Sequence, residues 1–346
     1  FMLIYDLGKD DIKGILKELR EPEYRVNQLW QGFYKQIYQN FSEFSGFSSD
    51  LRNKLENIFS FHVLRKITVI QSKDKNTEKV LFELNDGEKI ESVLMRYNNR
   101  RSLCISTQSG CAMGCVFCAT GQMGFRRHLS CGEIIAQVLY FEKLLREKKG
   151  SLSNVVVMGM GEPFHNYEAT ISAVRVLNDH DGFNMGARRF TISTVGIIPK
   201  IIQFAHENIE VNLAISLHAA TNSLRDNLVP MNRMYPIEKL MEACNYYIKQ
   251  TNRRITFEYA LIEGVNDSIT DAENLARLLK RMLCHVNLIS LNPTKGYKGS
   301  GSDSNCVDQF KNKLIYSHIP TTIRLRRGIE IRAGCGQLAY QETCML

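Results

Sequence analysis

The sequence predicts an α/β protein: a parallel, incompletely closed barrel of six βα units, preceded by a small helical domain and a short β linker. Three observations carry this expectation. After Arg101, short apolar runs with strand character alternate with helix-period segments six times, with one strand to spare. The first fifty-odd residues keep a helical period. From Phe61 the period shortens to that of strands. The expected division is therefore a helical unit over residues 1–60, a β linker over 61–100 and the barrel over 101–346.

Helices are expected over residues 10–19, 24–36 and 49–59, interrupted by Glu21-Pro22 and by the Ser/Phe/Gly stretch 41–47. The linker reads as strands 63–70, 80–84 and 90–95, with Asn85-Asp86-Gly87 as a hairpin turn between the last two. The barrel strands are expected at 103–106, 154–158, 189–193, 211–217, 255–262 and 286–292, with a last strand at 322–327. Between them lie helices 131–147, 167–178, 199–205, 237–250, 271–283 and 307–315. In such barrels the chemistry collects in the loops that follow the strands.

The chain of 346 residues is long enough for a large α/β domain with a smaller one beside it. Ten cysteines, scattered and with no secretory signal ahead of them, point to a reducing compartment and a cytoplasmic protein. No apolar run approaches the roughly 20 residues needed to span a bilayer, so no membrane partner is expected. Phe1 ahead of Met2 reads as a remnant or an altered start and takes no part in the reading. The net charge of +8 favours a polyanionic partner, and basic residues fall in doublets: Arg100-Arg101, Arg126-Arg127, Arg188-Arg189, Arg253-Arg254 and Arg326-Arg327. Any single doublet is more often a solvated face than an RNA contact.

The most informative segment is Gly110-Cys111-Ala112-Met113-Gly114-Cys115-Val116-Phe117-Cys118. It offers three thiolates to one metal centre and no fourth. A structural zinc site wants a closed tetrahedral set, and no His or Cys follows at knuckle spacing. A [4Fe–4S] cluster held by three thiolates instead leaves one iron free to chelate a small molecule.

Other polar groups are expected at the same mouth. Met158-Gly159-Met160-Gly161-Glu162-Pro163 follows the second barrel strand, with glycines permitting close backbone approach and Glu162 supplying an acceptor. Read alone, it is equally a strand-to-helix turn. Ser193, Ser216-Leu217-His218 and Asn292-Pro293 end the third, fourth and sixth strands. Cys335, in the glycine-flanked run Gly334-Cys335-Gly336, could be presented to the mouth, and Cys104 lies on the first strand. Lone cysteines are more commonly small buried hydrophobes. Cys131, Cys244, Cys284, Cys306 and Cys344 suggest no role.

The spacing Cys111-x3-Cys115-x2-Cys118 resembles that of the radical S-adenosylmethionine (SAM) superfamily, in which the open iron binds the amino and carboxylate groups of SAM and cluster reduction yields a 5′-deoxyadenosyl radical. Four ordered motifs narrow the resemblance: 104–111, Gly161-Glu162-Pro163, Ser216-Leu217-His218-Ala219 and 333–338 are similar to the RlmN/Cfr family of RNA adenosine methyltransferases. The resemblance implies a [4Fe–4S] cluster on Cys111, Cys115 and Cys118, and two SAM molecules consumed per turnover. It implies that Cys335 carries the methyl group as S-methylcysteine, that Cys104 resolves the protein–RNA adduct through a transient disulfide, and that Glu91 accepts the proton. It implies SAM contacts from Gly161, Glu162, Ser193, Ser216, Leu217, His218 and Asn292.

The implied substrates are 23S rRNA at the peptidyl-transferase centre and tRNA at the adenosine 3′ of the anticodon, with a flavodoxin or ferredoxin as electron donor. The Asn166-Tyr167 continuation of the Glu162 motif looks like the C2-methylating RlmN branch. Phe164, Arg332 and Gly334 depart from that branch, and residues 193–199 also read like the C8-methylating Cfr branch. Beyond these stand a radical SAM enzyme with another substrate and a zinc-dependent RNA-binding module. On the residues alone, an acid such as Glu91 on a strand reads as an exposed charge.

Overall fold

The computed structural model describes residues 2–339; Phe1 and residues 340–346, with Cys344, lie outside it. The amino-terminal part holds β1 (Met2–Leu3), α1 (Lys9–Glu18), α2 (Tyr24–Gln31), α3 (Ser49–Ile58) and β2 (Phe59–Ser60). The expected helix 24–36 is present, but Gly32–Gln36 is a wider π-type turn, ended by Ile37 in the left-handed region at φ 58°. The interrupting stretch 41–47 places Phe41, Phe44 and Phe47 in the core, where Phe33, Phe41 and Phe61 meet edge-on or tilted at 5.0–6.4 Å between ring centres.

The linker strands β3 (Arg65–Gln71), β4 (Thr77–Glu83) and β5 (Lys89–Arg96) form an antiparallel meander, turned between β4 and β5 with Gly87 at φ 86°. They extend the barrel sheet itself: β5 pairs antiparallel with β6 (Arg101–Cys104). Beyond β6 come a hairpin of β7 (Gln108–Gly110) and β8 (Phe125–His128) enclosing the short helix α4 (Ala119–Gln122), then helix α5 (Cys131–Arg146). The barrel continues as β9 (Asn154–Val157), α6 (Tyr167–Asn178), β10 (Phe190–Thr194), α7 (Ile198–Phe204), β11 (Asn212–Ser216), α8 (Asn222–Leu228) and α9 (Ile237–Thr251). It ends as β12 (Ile255–Leu261), α10 (Ile269–Leu278), β13 (Cys284–Ser290), α11 (Ser304–Tyr316) and β14 (Thr321–Ile323).

One ten-stranded sheet runs β14-β13-β12-β11-β10-β9-β6-β5-β4-β3, parallel from β14 to β6. Since β14 and β6 do not pair, the barrel is open on that side. Residues 324–338 cross the opening: Arg327 lies 3.7 Å from Asp74 and over the Tyr97 ring, and Lys79 Nζ donates to the Arg332 carbonyl at 3.2 Å.

Two expectations are corrected. The helix expected at 271–283 begins at Ile269, capped by Ser268 and Asp271, and stops at Leu278, because Arg281 turns into the left-handed region (φ 66°) and frees the chain to start β13 at Cys284. The last strand stops at Ile323 rather than 327, because Arg326 leaves the sheet to donate to Asn292 Oδ1 and Arg327 turns towards Asp74. Helix α8 and the β7–β8 hairpin had no sequence counterpart. Among the described residues no helix is long and apolar enough to cross a membrane.

Candidate active site

The cysteine loop is held at both ends. Gly110 sits at φ 72°, where a Cβ would stand 1.9 Å from the Gly124 carbonyl oxygen, so only glycine brings the two sides of the hairpin together. Cys111 N then donates to Gly124 O at 2.9 Å, and Val116 N to Leu228 O at 3.2 Å. Met113, Phe117, Val195, Leu228 and Ile262 pack an apolar shell around Cys111 and Cys115. Burial pushes the Cys111 thiol up to about 12, so a bound cation is what would make it a thiolate.

All three cysteines line one cavity. Three thiols presented to one cavity by a single short loop fit an iron–sulfur cube that keeps one iron open to a small ligand.

Opposite them the strand tips converge. Gly161, Glu162, Ser193, Ser216, His218 and Asn292 line the same cavity. Glu162 is buried. Its Oε1 accepts from Phe164 N and its Oε2 from Val195 N, each at 2.9 Å, while burial raises its carboxyl to about 7. The glycines before it line the cavity and are also crowded by the chain: a Cβ on Gly159 would lie 2.6 Å from the Ile105 carbonyl oxygen, and one on Gly161 (φ 99°) 2.6 Å from Gln108 Cβ. Ser193 and Ser216 hydroxyls lie 3.2 Å apart. His218 is buried at φ 59°, accepts from Ala260 N at Nδ1 (3.0 Å) and is held neutral, burial lowering it to about 3. Asn292 is engaged by the reactive loop, donating from Nδ2 to the Cys335 carbonyl at 3.0 Å. Leu217 does not reach the cavity; its side chain is fully buried in the core.

Cys104 and Cys335 meet in an adjoining cavity whose lining also includes Met158, Ile289, Asn292 and Arg324. Cys335 is exposed to it and Cys104 is buried. Desolvation raises both thiols, Cys104 to about 12, and the Arg324 guanidinium opposes the rise in each. Arg324, which sequence reasoning missed, lines both cavities and contacts Met158 Sδ at 3.5 Å. One arginine in a basic run gives no signal of its own.

Glu91 lines neither cavity, and its reading as an exposed charge is corrected: on β5 it is only 4 % exposed and ion-paired to Lys79 Nζ at 2.8 Å. The partner strand buries it, which its neighbours in sequence do not reveal. Burial raises its carboxyl against the pull of Lys79 and of a backbone hydrogen bond from Ala339. Glu91 shares the sheet face of Val93, whose register partner is Cys104.

Arg225 on α8 is a second missed residue. Fully buried, it donates to the carbonyls of Leu217 (3.0 Å), Val195 (2.6 Å) and Ser216 (3.2 Å), tying the tips of β10 and β11, and its charge acts on Cys115. Replacing Arg225 by methionine leaves these buried carbonyls without a donor and is expected to cost about 3–5 kcal/mol of stability. Urea denaturation of the cluster-free protein checks this, and a loss under about 1 kcal/mol would refute it.

An open parallel barrel whose strand-end cavity carries three cysteines of one loop beside a buried Gly-Glu turn defines a radical SAM enzyme. Residues 105–279 match the model of the radical SAM superfamily, and residues 3–60 match that of the ribosomal RNA large subunit methyltransferase N-terminal domain. A probable dual-specificity RNA methyltransferase RlmN of Dictyoglomus turgidum is 45% identical over 95% of this chain and 94% of its own. Dual-specificity RNA methyltransferase RlmN 1 of Myxococcus xanthus is 47% identical over 97% and 93%. A crystal structure of a radical SAM methyltransferase from Sphaerobacter thermophilus superposes with a TM-score of 0.95 at 45% identity, covering 98% of this chain and 99% of that one. The chain belongs to the RlmN family of dual-specificity radical SAM RNA methyltransferases.

Proposed function

We propose that this enzyme methylates C2 of an adenosine in 23S rRNA, at the peptidyl-transferase centre, and in tRNA, just 3′ of the anticodon, through S-methylcysteine at Cys335. The observation that carries the reading is the meeting of Cys104 and Cys335 in a cavity that shares Met158, Asn292 and Arg324 with the cavity of the three cysteines. C2 of adenine lies between two ring nitrogens and is too electron-poor to attack a methyl sulfonium, so the carbon needs a carrier and a radical route.

When bound, the cluster on Cys111, Cys115 and Cys118 supplies the electron that cleaves SAM, with two SAM molecules consumed per turnover and a flavodoxin or ferredoxin as reductant. Cys335 Sγ, as the thiolate favoured by Arg324, attacks the methyl group of the first SAM, forming the Sγ–carbon bond as the sulfonium–carbon bond breaks and S-adenosylhomocysteine leaves. Once hydrogen is removed from that methyl carbon, the carbon joins C2 and tethers the RNA. Glu91, a carboxyl raised by burial, is suited to accept the C2 proton as an electron is returned. Cys104 Sγ then attacks Cys335 Sγ, forming the disulfide and breaking the sulfur–carbon bond, and the carbon leaves as a methyl group after gaining a proton. Gly161, Glu162, Ser193, Ser216, His218 and Asn292 hold SAM, with Leu217 contributing backbone only. The helical unit of residues 1–60, which exposes Tyr24, is suited to gripping the RNA.

If Glu162 receives the SAM ammonium, its deprotonated form is the binding form. SAM affinity is then expected to fall about tenfold per pH unit below about 7 and to level off above it, and Glu162→Gln should flatten the profile. Calorimetric titration of SAM across pH 5.5–8.5 checks this.

The reading is tested by mass spectrometry of nucleosides from 23S rRNA and tRNA of a host lacking its own C2 methylase and expressing this chain. 2-Methyladenosine in both RNAs is expected. 8-Methyladenosine would move the product to the other ring carbon, and no methylated adenosine from cluster-loaded protein would overturn the reading.

A further inference from the structure

The barrel lumen opens a second time, at the end away from the cysteine loop. A basin of about 820 Å³ lies there among the first halves of the strands, with Asn154, Thr191, Asn212, Thr256 and His285 on its walls. Four guanidinium groups face it from separate parts of the chain: Arg100 from the turn before β6, Arg253 and Arg254 ahead of β12, and Arg324 beyond β14. Its one carboxylate, Glu258, already accepts from Asn287 Nδ2 at 3.2 and 2.9 Å.

Among the described residues, no salt bridge joins any of these four arginines to a carboxylate, whereas Arg127, Arg175 and Arg188 elsewhere on the molecule are paired. Arg253 Nε is buried with no partner, and Arg100 lies over the Tyr97 ring, 4.3 Å from its centre. Arg324 is partly compensated by the buried Glu258, which leaves Arg100, Arg253 and Arg254 as excess positive charge in a polar hollow, an arrangement that suits phosphate groups. The basin is also continuous with the thiol cavity, since Met95, Met158, Arg324 and Leu325 line both. On the opposite side of the thiol cavity, Cys111 and Cys115 are backed by the apolar side chains of Met113, Phe117, Val195, Leu228 and Ile262.

We propose that the RNA delivers its adenosine through this basin, from the amino-terminal end of the barrel strands, with the flanking phosphates held by Arg100, Arg253 and Arg254. The unstacked base passes Arg324 to reach Cys335 from below, while the cysteine loop keeps the other side dry. This rests on the RNA methyltransferase reading above, and two of the five basic doublets thereby acquire a common purpose.

The test uses Arg100→Glu and Arg254→Glu, both at exposed positions, in cluster-loaded protein with a tRNA anticodon stem-loop as RNA probe. Filter binding over a range of salt is expected to show at least a tenfold weaker Kd for each variant and a log–log salt slope shallower by about one per lost phosphate contact. KM for RNA should rise with Kd while kcat is largely retained, and Arg254→Lys should recover most of the affinity. SAM binding and iodoacetamide labelling of Cys335 should match the unsubstituted protein, which separates lost RNA contact from lost folding. Unchanged Kd and salt slope in both variants would overturn the proposal. An unsubstituted protein that binds and methylates no RNA would overturn the function reading itself, and this inference with it.

Discussion

Replacing Cys335 with alanine is expected to abolish adenosine methylation, a loss of about three orders of magnitude or more, because among the described residues Cys335 is the cysteine that lines both cavities. The loss should be confined to chemistry. Cys335 enters the hydrogen-bond network through its carbonyl, which accepts from Asn292 Nδ2, and alanine keeps that carbonyl. The loop is also anchored by Ala119 N to Gly336 O (2.7 Å) and Gln337 Nε2 to Pro293 O (2.9 Å), neither of which involves the thiol. Iron and sulfide content and SAM affinity are therefore expected to match the unsubstituted enzyme, while nucleoside mass spectrometry finds no methyladenosine. Methylation surviving in the variant would show that the methyl group passes directly from SAM to RNA.

Replacing Cys104 with alanine should fail differently. Cys104 acts last in the proposed sequence, so its loss should leave methyl loading, carbon addition and tethering intact and block release. Turnover is expected to stop at one RNA per enzyme, with a covalent protein–RNA species that migrates slowly on a denaturing gel and collapses to the protein band after ribonuclease. Structurally the change is mild: Cys104 is a small buried side chain, and removing its sulfur should cost about 1 kcal/mol. Multiple turnover with no adduct would refute the resolving role. The double variant Cys104→Ala, Cys335→Ala should form no adduct, which separates tethering at Cys335 from adventitious crosslinking.

Two readings of single residues show where sequence reasoning stopped. The glycines of Gly159-Met160-Gly161 were expected to let backbone approach a ligand, and the structure adds a second need for them: a Cβ at either would also collide with Ile105, Ser106 or Gln108. A sequence shows that a residue must be small without showing what it must avoid. Glu91 read as an exposed charge because an acid in a strand-like stretch is ordinarily solvated, yet on β5 it is buried and paired with Lys79 of β4. Arg324 and Arg225 carried no mark among forty-four basic residues, because their importance lies in which carbonyls and thiols surround them.

What the sequence by itself determined was local: the alternation that makes an open parallel barrel, the helical start, and the three cysteines whose spacing of three and two residues within one loop decides the metal chemistry whatever the rest of the chain does. Only the tertiary structure decided what is assembled from distant parts. The pairing of β5 with β6 continues the linker into the barrel sheet, and the failure of β14 to pair with β6 leaves a gap for residues 324–338 to cross. That crossing carries Cys335 to Cys104, sets Arg324 between the two cavities and leaves an arginine-lined basin open at the far end of the lumen. The physical reason is that strand and helix periods, turns and close ligand spacings are read over a few residues, whereas burial, charge compensation and cavity shape are sums over contacts between elements far apart in the chain.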